Sequence, residues 1–422
     1  MNQAAAPRGR ASLVLALLLL AYIFNFLDRQ ILGILAQPIK ADLQLSDTQF
    51  GAIGGLAFAL LYSALGVPLA YLADKTSRSA VVAASLGVWS AFTALCGTAA
   101  GFSQLFLHRL GVGVGEAGGV APSYALISDY FPAELRARAL ALFSLGIPIG
   151  LASGTMIGAY IAHAINWRVA FFVTGGAGVL LAPILGLLVK DVPKGDSRVA
   201  AAPLASVFPT VARNPAFWLL SFASSSSSLC GYGLALWTPS VFERSFGLGL
   251  IDRAQFVAST LLVGGCAGVF AGGWLADRLG NMDKGWYAKL PAIAWIVSVP
   301  AWGLGLFAPN LSIAWPLLLL GNAVNILWLG PVTTAVQHLV PRPMRSTASA
   351  SFLLINNLIG LGLGPLLVGG LSDAMKATYG SDSLRNAAAA CLGFYLLAAA
   401  LMLFSVKSLR RSWVPDGTLL TI

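Results

Sequence analysis

Four charged side chains fall well inside long apolar runs: Asp28, Arg29, Arg109 and Glu116. An ionised group at the centre of a bilayer costs about 3 kcal/mol or more, so each must be paired, neutralised or facing water. Arg109 and Glu116 are separated by two helical turns and share a helix face. Gly111, Gly113 and Gly115 between them admit a close neighbour. Tyr22, Asn25 and Arg29 follow helical spacing and extend a polar stripe along the first run. Two carboxyls and two guanidiniums in an apolar setting can carry a proton or hold an anionic head group. In the expected resting state Asp28 is ionised, with Arg29 adjacent and Arg109 opposite, and Glu116 is the protonated partner. Moving a proton or an anionic head then swaps the arginine pairings and biases two conformations. The competing reading is a structural ion pair locking the first and fourth runs.

The composition says what must position these groups. Of 422 residues, 57% are hydrophobic and only 10% charged, and the mean hydropathy is +0.80. A soluble domain carries about 25% charged residues, and a soluble chain this poor in charge would expose a large apolar surface. Soluble enzymes and disordered proteins are excluded. The pI near 9.7 suggests nucleic acid, but the basic residues form no single patch, so no nucleic-acid partner is expected. Twelve apolar stretches, from residues 11–37 to 386–406, match a span length of roughly 20 residues each. The runs are continuous rather than alternating, which excludes a β-barrel. The expected fold is an all-α integral membrane protein.

Charge orients the chain. Sorted by expected side, 18 of the 26 Lys and Arg fall on one face, and the positive-inside rule puts both termini in the cytoplasm. Span four then enters from outside near Phe102, so Arg109 lies roughly 10 Å deep, Glu116 roughly 21 Å, and Asp28 about 16 Å. The apolar run behind Arg8 and Arg10 continues past Asp28 without a cleavage site and reads as an uncleaved first span. Cys96, Cys230, Cys266 and Cys391 sit in apolar runs and read as small hydrophobes. No metal and no cofactor is expected. Ser46-Asp47-Thr48-Gln49 reads as a helix-capping box.

The longest polar interruption, Lys190 to Asn214, divides the chain. The expected organisation is a six-helix bundle over 1–190, a cytoplasmic linker over 191–213 and a second bundle over 214–422. An internal repeat supports the division: Leu72-Ala73-Asp74-Lys75 recurs as Leu275-Ala276-Asp277-Arg278, each closing the second span of its half. A Gly/Pro pattern recurs too, Gly146-Ile147-Pro148-Ile149-Gly150 against Gly362-Leu363-Gly364-Pro365. Parallel six-span halves point to a transporter with a midplane site.

Gly273-Trp274-Leu275-Ala276-Asp277-Arg278-Leu279-Gly280 resembles the loop signature of the major facilitator superfamily, with Ala70 to Arg78 as a degenerate first copy. Arg109-Leu110-Gly111-Val112-Gly113 resembles the superfamily's fourth-span motif. Within it, residues 22–150 most resemble the Spinster family of lysolipid and sphingolipid transporters. That likeness rests on Leu27-Asp28-Arg29-Gln30, Leu45 to Gly51, Gly113-Val114-Gly115-Glu116-Ala117 and Ser128 to Pro132. The resemblance implies twelve transmembrane helices in two pseudo-symmetric bundles, the major facilitator fold. It also implies that Asp74 faces the N-terminus of span eleven, where the helix dipole favours an anion.

Asp74, Lys75, Arg78 and Asp129, mirrored by Asp277 and Arg278, form an expected cytoplasmic gate; ordinary loop solubility is the other reading. Second-half positions matching Asp28 and Arg109 are uncharged. There Ser228, Tyr232 and Trp237, with Asn322, Asn325 and Asn356, complete a substrate cavity begun by Tyr22 and Asn25, although such residues also serve as helix–helix glue. One charged wall and one apolar, amide-rich wall suit an amphiphile. The expectation is a monomeric, proton-coupled secondary transporter in the inner membrane, working by alternating access on a lipid-like substrate of lysophospholipid or sphingoid type. A soluble organic anion, sugar acid or hydrophobic drug fits the same walls. No nucleophile–base pair or phosphate loop supports an enzyme or an ATP-driven pump, and no selectivity-filter signature supports a channel.

Overall fold

The computed structural model describes residues 8–192 and 204–415; residues 193–203 of the expected 191–213 linker therefore lie outside the described residues. Among them all regular structure is helical. The first half holds α1 (Arg8–Ile34), α2 (Ala36–Leu43), α3 (Asp47–Gly54), α4 (Leu56–Lys75), α5 (Arg78–Cys96), α6 (Phe102–Glu116), α7 (Val120–Tyr130), α8 (Ala133–Ser144), α9 (Gly146–Ala164) and α10 (Trp167–Leu188). After α11 (Leu204–Ala212) come α12 (Pro215–Phe246), α13 (Leu250–Met282), α14 (Trp286–Leu306), α15 (Leu311–Ile326) and α16 (Leu329–Gln337). The chain ends in α17 (Arg345–Asn356), α18 (Gly362–Tyr379), α19 (Ser383–Cys391) and α20 (Gly393–Ser412).

Nine helical runs among the described residues are long and apolar enough to cross a membrane. One, Arg345–Ser412, has 68 residues and reverses at Gly380, whose φ is +54°, so it supplies two crossings. The glycine-broken α6–α7 pair and the serine-rich α12 fall outside those nine runs, and with them the helices are consistent with the twelve expected from the sequence. Several crossings are discontinuous. The α6–α7 break falls at Ala117–Gly119, and a π-helical turn over Asn357–Leu361 interrupts the stretch between α17 and α18. Interrupted membrane helices line sites in many transporters, because freed backbone groups need polar surroundings.

Small residues bring the helices together. In α9, Gly146, Gly150, Gly154 and Gly158 recur every fourth residue and form one stripe against α1. A Cβ at Gly150 would lie 2.6 Å from the Ile23 carbonyl oxygen, and one at Gly154 would lie 2.5 Å from that of Leu27. This backbone-to-backbone contact fixes the stretch of α1 that carries Asp28 and Arg29. Similarly, Gly264, Gly268 and Gly272 of α13 admit α15.

The chain forms two compact units, Met1–Lys194 with Ala235–Leu262, and Gly195–Leu234 with Val263–Ile422. Within the first, Asp47 ties in the joined ends of α12 and α13. Both terminal nitrogens of Arg244 reach its carboxylate at 2.7 Å, and Lys40 pairs with the same group. Arg253 pairs with Glu243, and Trp237 packs on Phe50 at 5.6 Å between ring centres. The capping box at α3 forms as expected: Gln49 N–H donates to Ser46 Oγ at 3.1 Å, and Ser46 N–H donates to Gln49 Oε1 at 3.0 Å.

Candidate functional site

Three helices of the first unit bring the buried charges together. α1 carries Asp28 and Arg29, α6 carries Arg109 and ends at Glu116, and α5 packs beside them. Gly113 of α6 takes the Phe58 carbonyl of α4, and Gly115 takes the backbone of Trp89 in α5. The close approach that the glycine spacing predicted therefore positions two neighbouring helices at once. Asp28, Arg109 and Glu116 are essentially inaccessible, at 0%, 1% and 0% exposure.

Arg29 donates from Nε at 2.9 Å and from Nη2 at 2.6 Å to the same oxygen, Glu116 Oε2. Its guanidinium also lies 4.6 Å from the Phe58 ring centre and 5.0 Å from those of Phe26 and Tyr62. A cation over aromatic faces is stabilised by the ring quadrupole where water is excluded. Asp28 behaves differently. No cation closes on its carboxylate among the described residues; instead Thr93 Oγ1 of α5 donates to Oδ2 at 3.1 Å. Arg109 Nη1 reaches the Asp28 backbone carbonyl at 3.5 Å, and the guanidinium sits 5.5 Å from the Phe58 ring.

The pairing thus differs from the one expected. Arg29 turns to Glu116 rather than to Asp28, because consecutive helical residues point about 100° apart. Asp28 faces α5 while Arg29 faces α4 and α6. Each carboxyl keeps one oxygen, Asp28 Oδ1 and Glu116 Oε1, without a hydrogen-bond partner. Each of those oxygens is therefore open to a proton.

Of the proposed cavity residues, Tyr22 stacks on Phe143 at 4.3 Å, and Asn25 is buried beside Glu116. In the second unit Ser228 Oγ donates to Asn356 Oδ1 at 2.9 Å, at the start of the π-helical turn. Asn325 accepts from Tyr395 Oη at 2.8 Å, whereas Asn322 donates to Leu318 O of its own helix at 3.0 Å. Tyr232 is half-buried in the same unit. Trp237 is fully buried in the first unit against Phe50.

At the start of α5, Arg78 bridges two carboxylates. Its Nε and Nη2 donate to Asp74 Oδ1 at 3.0 and 2.5 Å, and Nη1 pairs with Asp129. Lys75 lies over the Tyr71 ring at 4.9 Å. The second copy of this motif is not paired in the same way. Asp277 and Arg278 form no ion pair among the described residues, and Arg278 lies over Trp274 at 5.5 Å. The repeat offset carries Arg78 onto Asn281, which has no charge. In that unit the ion pair is made by Asp283, which receives Arg410 Nε at 2.9 Å and Lys289 Nζ at 3.3 Å. Those bonds, led by Arg410 and joined by the Gly285 N–H, hold the Asp283 carboxyl well below the usual carboxylate range. Sequence reasoning missed Thr93, Phe58, Tyr62 and the Asp283–Arg410 pair. A threonine or phenylalanine in an apolar run carries no signal of its own, and loop charges over 100 residues apart have no periodicity to link them.

Residues 18–365 match the Major Facilitator Superfamily. The chain belongs to that superfamily. This major facilitator chain is 32% identical over 401 residues to an MFS-type efflux pump of Mycolicibacterium smegmatis, spanning 94% of this chain and 91% of that protein. It is 28% identical over 397 residues to Protein spinster homolog 1 of Homo sapiens, spanning 88% of this chain and 75% of that one. The crystal structure of a bacterial homolog to the human lysosomal transporter Spinster, inward-facing and unoccupied, superposes with a TM-score of 0.86. That match has 27% identity and covers 97% of this chain and 100% of that one. The inward-facing and occupied conformation gives a TM-score of 0.84. The fold class and the Spinster likeness expected from the sequence are those found, and the major facilitator chain is a multi-pass membrane transporter.

Proposed function

We propose that this transporter is proton-coupled and works by alternating access on an amphiphilic, lipid-like substrate of lysophospholipid or sphingoid type. One observation carries the reading: Arg29 closes on a single oxygen of the fully buried Glu116, leaving the other oxygen open to a proton. Protonation there cancels the charge that holds Arg29 and frees the guanidinium for an anionic head group. Asp28, held by Thr93 rather than by a cation, is the second proton or head-group position, and Arg109 is the second cation. Tyr22, Asn25, Ser228, Tyr232, Trp237, Asn322, Asn325 and Asn356 are the proposed substrate-contacting set. Asp74, Lys75, Arg78 and Asp129, with Asp277 and Arg278, form the proposed gate.

In this reading the protein is a monomer in the plasma membrane with both termini cytoplasmic, built from bundles over 1–190 and 214–422 joined by 191–213. A second reading, export of a hydrophobic drug, is favoured by the likeness to the M. smegmatis efflux pump. Flux into liposomes under an imposed pH gradient, with a lysolipid panel, sugar acids and a hydrophobic cationic dye run in parallel, separates the substrates. Gradient-driven lysolipid flux that disappears in Glu116→Gln supports the proposal. Lysolipid flux indifferent to the gradient in both proteins overturns it.

A further inference from the structure

Two guanidiniums share one aromatic ring. The Phe58 ring centre lies 4.6 Å from the guanidinium of Arg29 and 5.5 Å from that of Arg109. Like charges in an apolar interior repel strongly, because their surroundings screen them poorly. Glu116 compensates Arg29 through its hydrogen bonds. Among the described residues Arg109 makes one hydrogen bond, the long one to the Asp28 carbonyl at 3.5 Å, and its Nε makes none. The negative face of the Phe58 ring attracts both cations.

The ring is fixed through its backbone. Gly113 stands one turn after Arg109 and one turn before Glu116, on the same face of α6. A Cβ there would lie 2.4 Å from the Phe58 carbonyl oxygen. The glycine therefore seats Phe58 of α4 between the two charged residues of α6. Tyr62, one turn further along α4, stacks on the Phe58 ring at 5.0 Å between centres and 25° between planes. Phe58 is buried, so water does not compete for its face.

Protonating Glu116 removes the charge that faces Arg29 but leaves the ring quadrupole unchanged. A guanidinium without an anion turns its head toward water, and the Arg29 side chain is 13% exposed. The ring opposes that movement in either state of Glu116. We infer that Phe58 is the positioning residue that keeps Arg29 and Arg109 together as one two-cation site for an oxyanion head group while Glu116 gains and loses its proton. The inference rests on the head-group role proposed for the two arginines. The other charged and titratable groups around this site are Asp28 of α1, Glu116 of α6 and Cys96 of α5, with Tyr62 of α4 against Arg29. The carboxyls change charge with the proton, and the Phe58 ring does not.

The test installs phenylalanines with increasing numbers of ring fluorines at position 58 of the full chain. They keep the shape of the ring and drain negative charge from its face. Solid-state NMR of the protein with isotope-labelled arginine, in proteoliposomes, reads the order of each side-chain Nε–H. The signals lost in Arg29→Lys and Arg109→Lys assign the two residues. Both signals should lose order stepwise along the series. Arg29 should lose it several-fold more steeply in Glu116→Gln, where the ring is joined by a neutral partner. The KM for exchange of labelled lysophosphatidylglycerol at equal pH should rise several-fold along the same series, with kcat kept. Signals unchanged along the series in both backgrounds overturn the positioning role and leave the head-group role of the arginines intact. Loss of order at constant KM, or no exchange in the parent protein, overturns that head-group role and the function inferred for Phe58 with it.

Discussion

Arg29 and Glu116 meet through one oxygen: Nε and Nη2 both close on Oε2, at 2.9 and 2.6 Å. Because Gln keeps an acceptor for Arg29, Glu116→Gln should still fold, at a smaller stability cost than loss of the whole contact. The amide oxygen can still accept from Arg29, while the protonatable oxygen is lost. The variant should purify as a folded monodisperse protein and retain substrate exchange at equal pH. It should lose accumulation driven by a pH gradient. Counterflow and gradient-driven uptake of a labelled lysolipid, measured side by side, check this; accumulation at the wild-type level would sink it.

Removing the cation is a different experiment. Breaking a buried pair from one side costs about 3–5 kcal/mol because the remaining charge is uncompensated. Arg29→Ala should therefore lower the thermal midpoint clearly. Arg29→Ala combined with Glu116→Gln should recover much of the loss, giving a coupling of at least about 1 kcal/mol in the cycle. Additive single effects would mean that the contact is energetically idle.

Gly154 and Gly176 make a controlled comparison. A Cβ at Gly154 would sit 2.5 Å from the Leu27 carbonyl, whereas one at Gly176 meets nothing within 4 Å. Gly154→Ala should push α1 off α9, cost about 1–3 kcal/mol and reduce transport, since Asp28 and Arg29 follow Leu27. Gly176→Ala should leave transport unchanged and raise stability by about 0.5–1 kcal/mol through helix propensity. Thermal denaturation and liposome flux of both variants decide the point.

Arg78 spans Asp74 and Asp129, which are on different helices. Asp74 is half exposed, so solvent screening limits the whole arrangement to about 1 kcal/mol. Arg78→Lys should recover less than half of what Arg78→Ala loses, because an ammonium is a point charge and cannot fork to two carboxylates. Equal thermal midpoints for the Lys variant and the parent would contradict this.

Asp283 makes a pH prediction. Its folded carboxyl titrates below the ordinary range, chiefly because Arg410 donates to it. The stability it contributes is present above the unfolded carboxylate range and is lost as pH falls toward the folded value. Asp283→Asn should therefore lower the midpoint at neutral pH, and the gap from the parent should close only in strong acid. A gap that stays constant from neutral to strongly acidic pH would assign the effect to packing instead.

Much of this molecule is determined by its sequence alone. Low charge and continuous apolar runs force a helical membrane fold, since only helices or closed barrels satisfy every backbone group in lipid. The capping box at Ser46 and the glycine spacing around Arg109 are local, and they appear where their chemistry puts them. Asp28, Arg29, Arg109 and Glu116 could be picked out because a charge inside an apolar run must be paired, neutralised or facing water. Their partners could not. Which carboxylate Arg29 takes depends on the helix faces that α4, α5 and α6 present to α1, and a shift of one residue turns a side chain by about 100°. Only the tertiary structure gave Glu116 to Arg29 and Thr93 to Asp28, put Trp237 against Phe50, and joined Asp283 to Arg410. Sequence spacing specifies a helix face, but pairing is a choice between faces of different helices, and packing makes that choice.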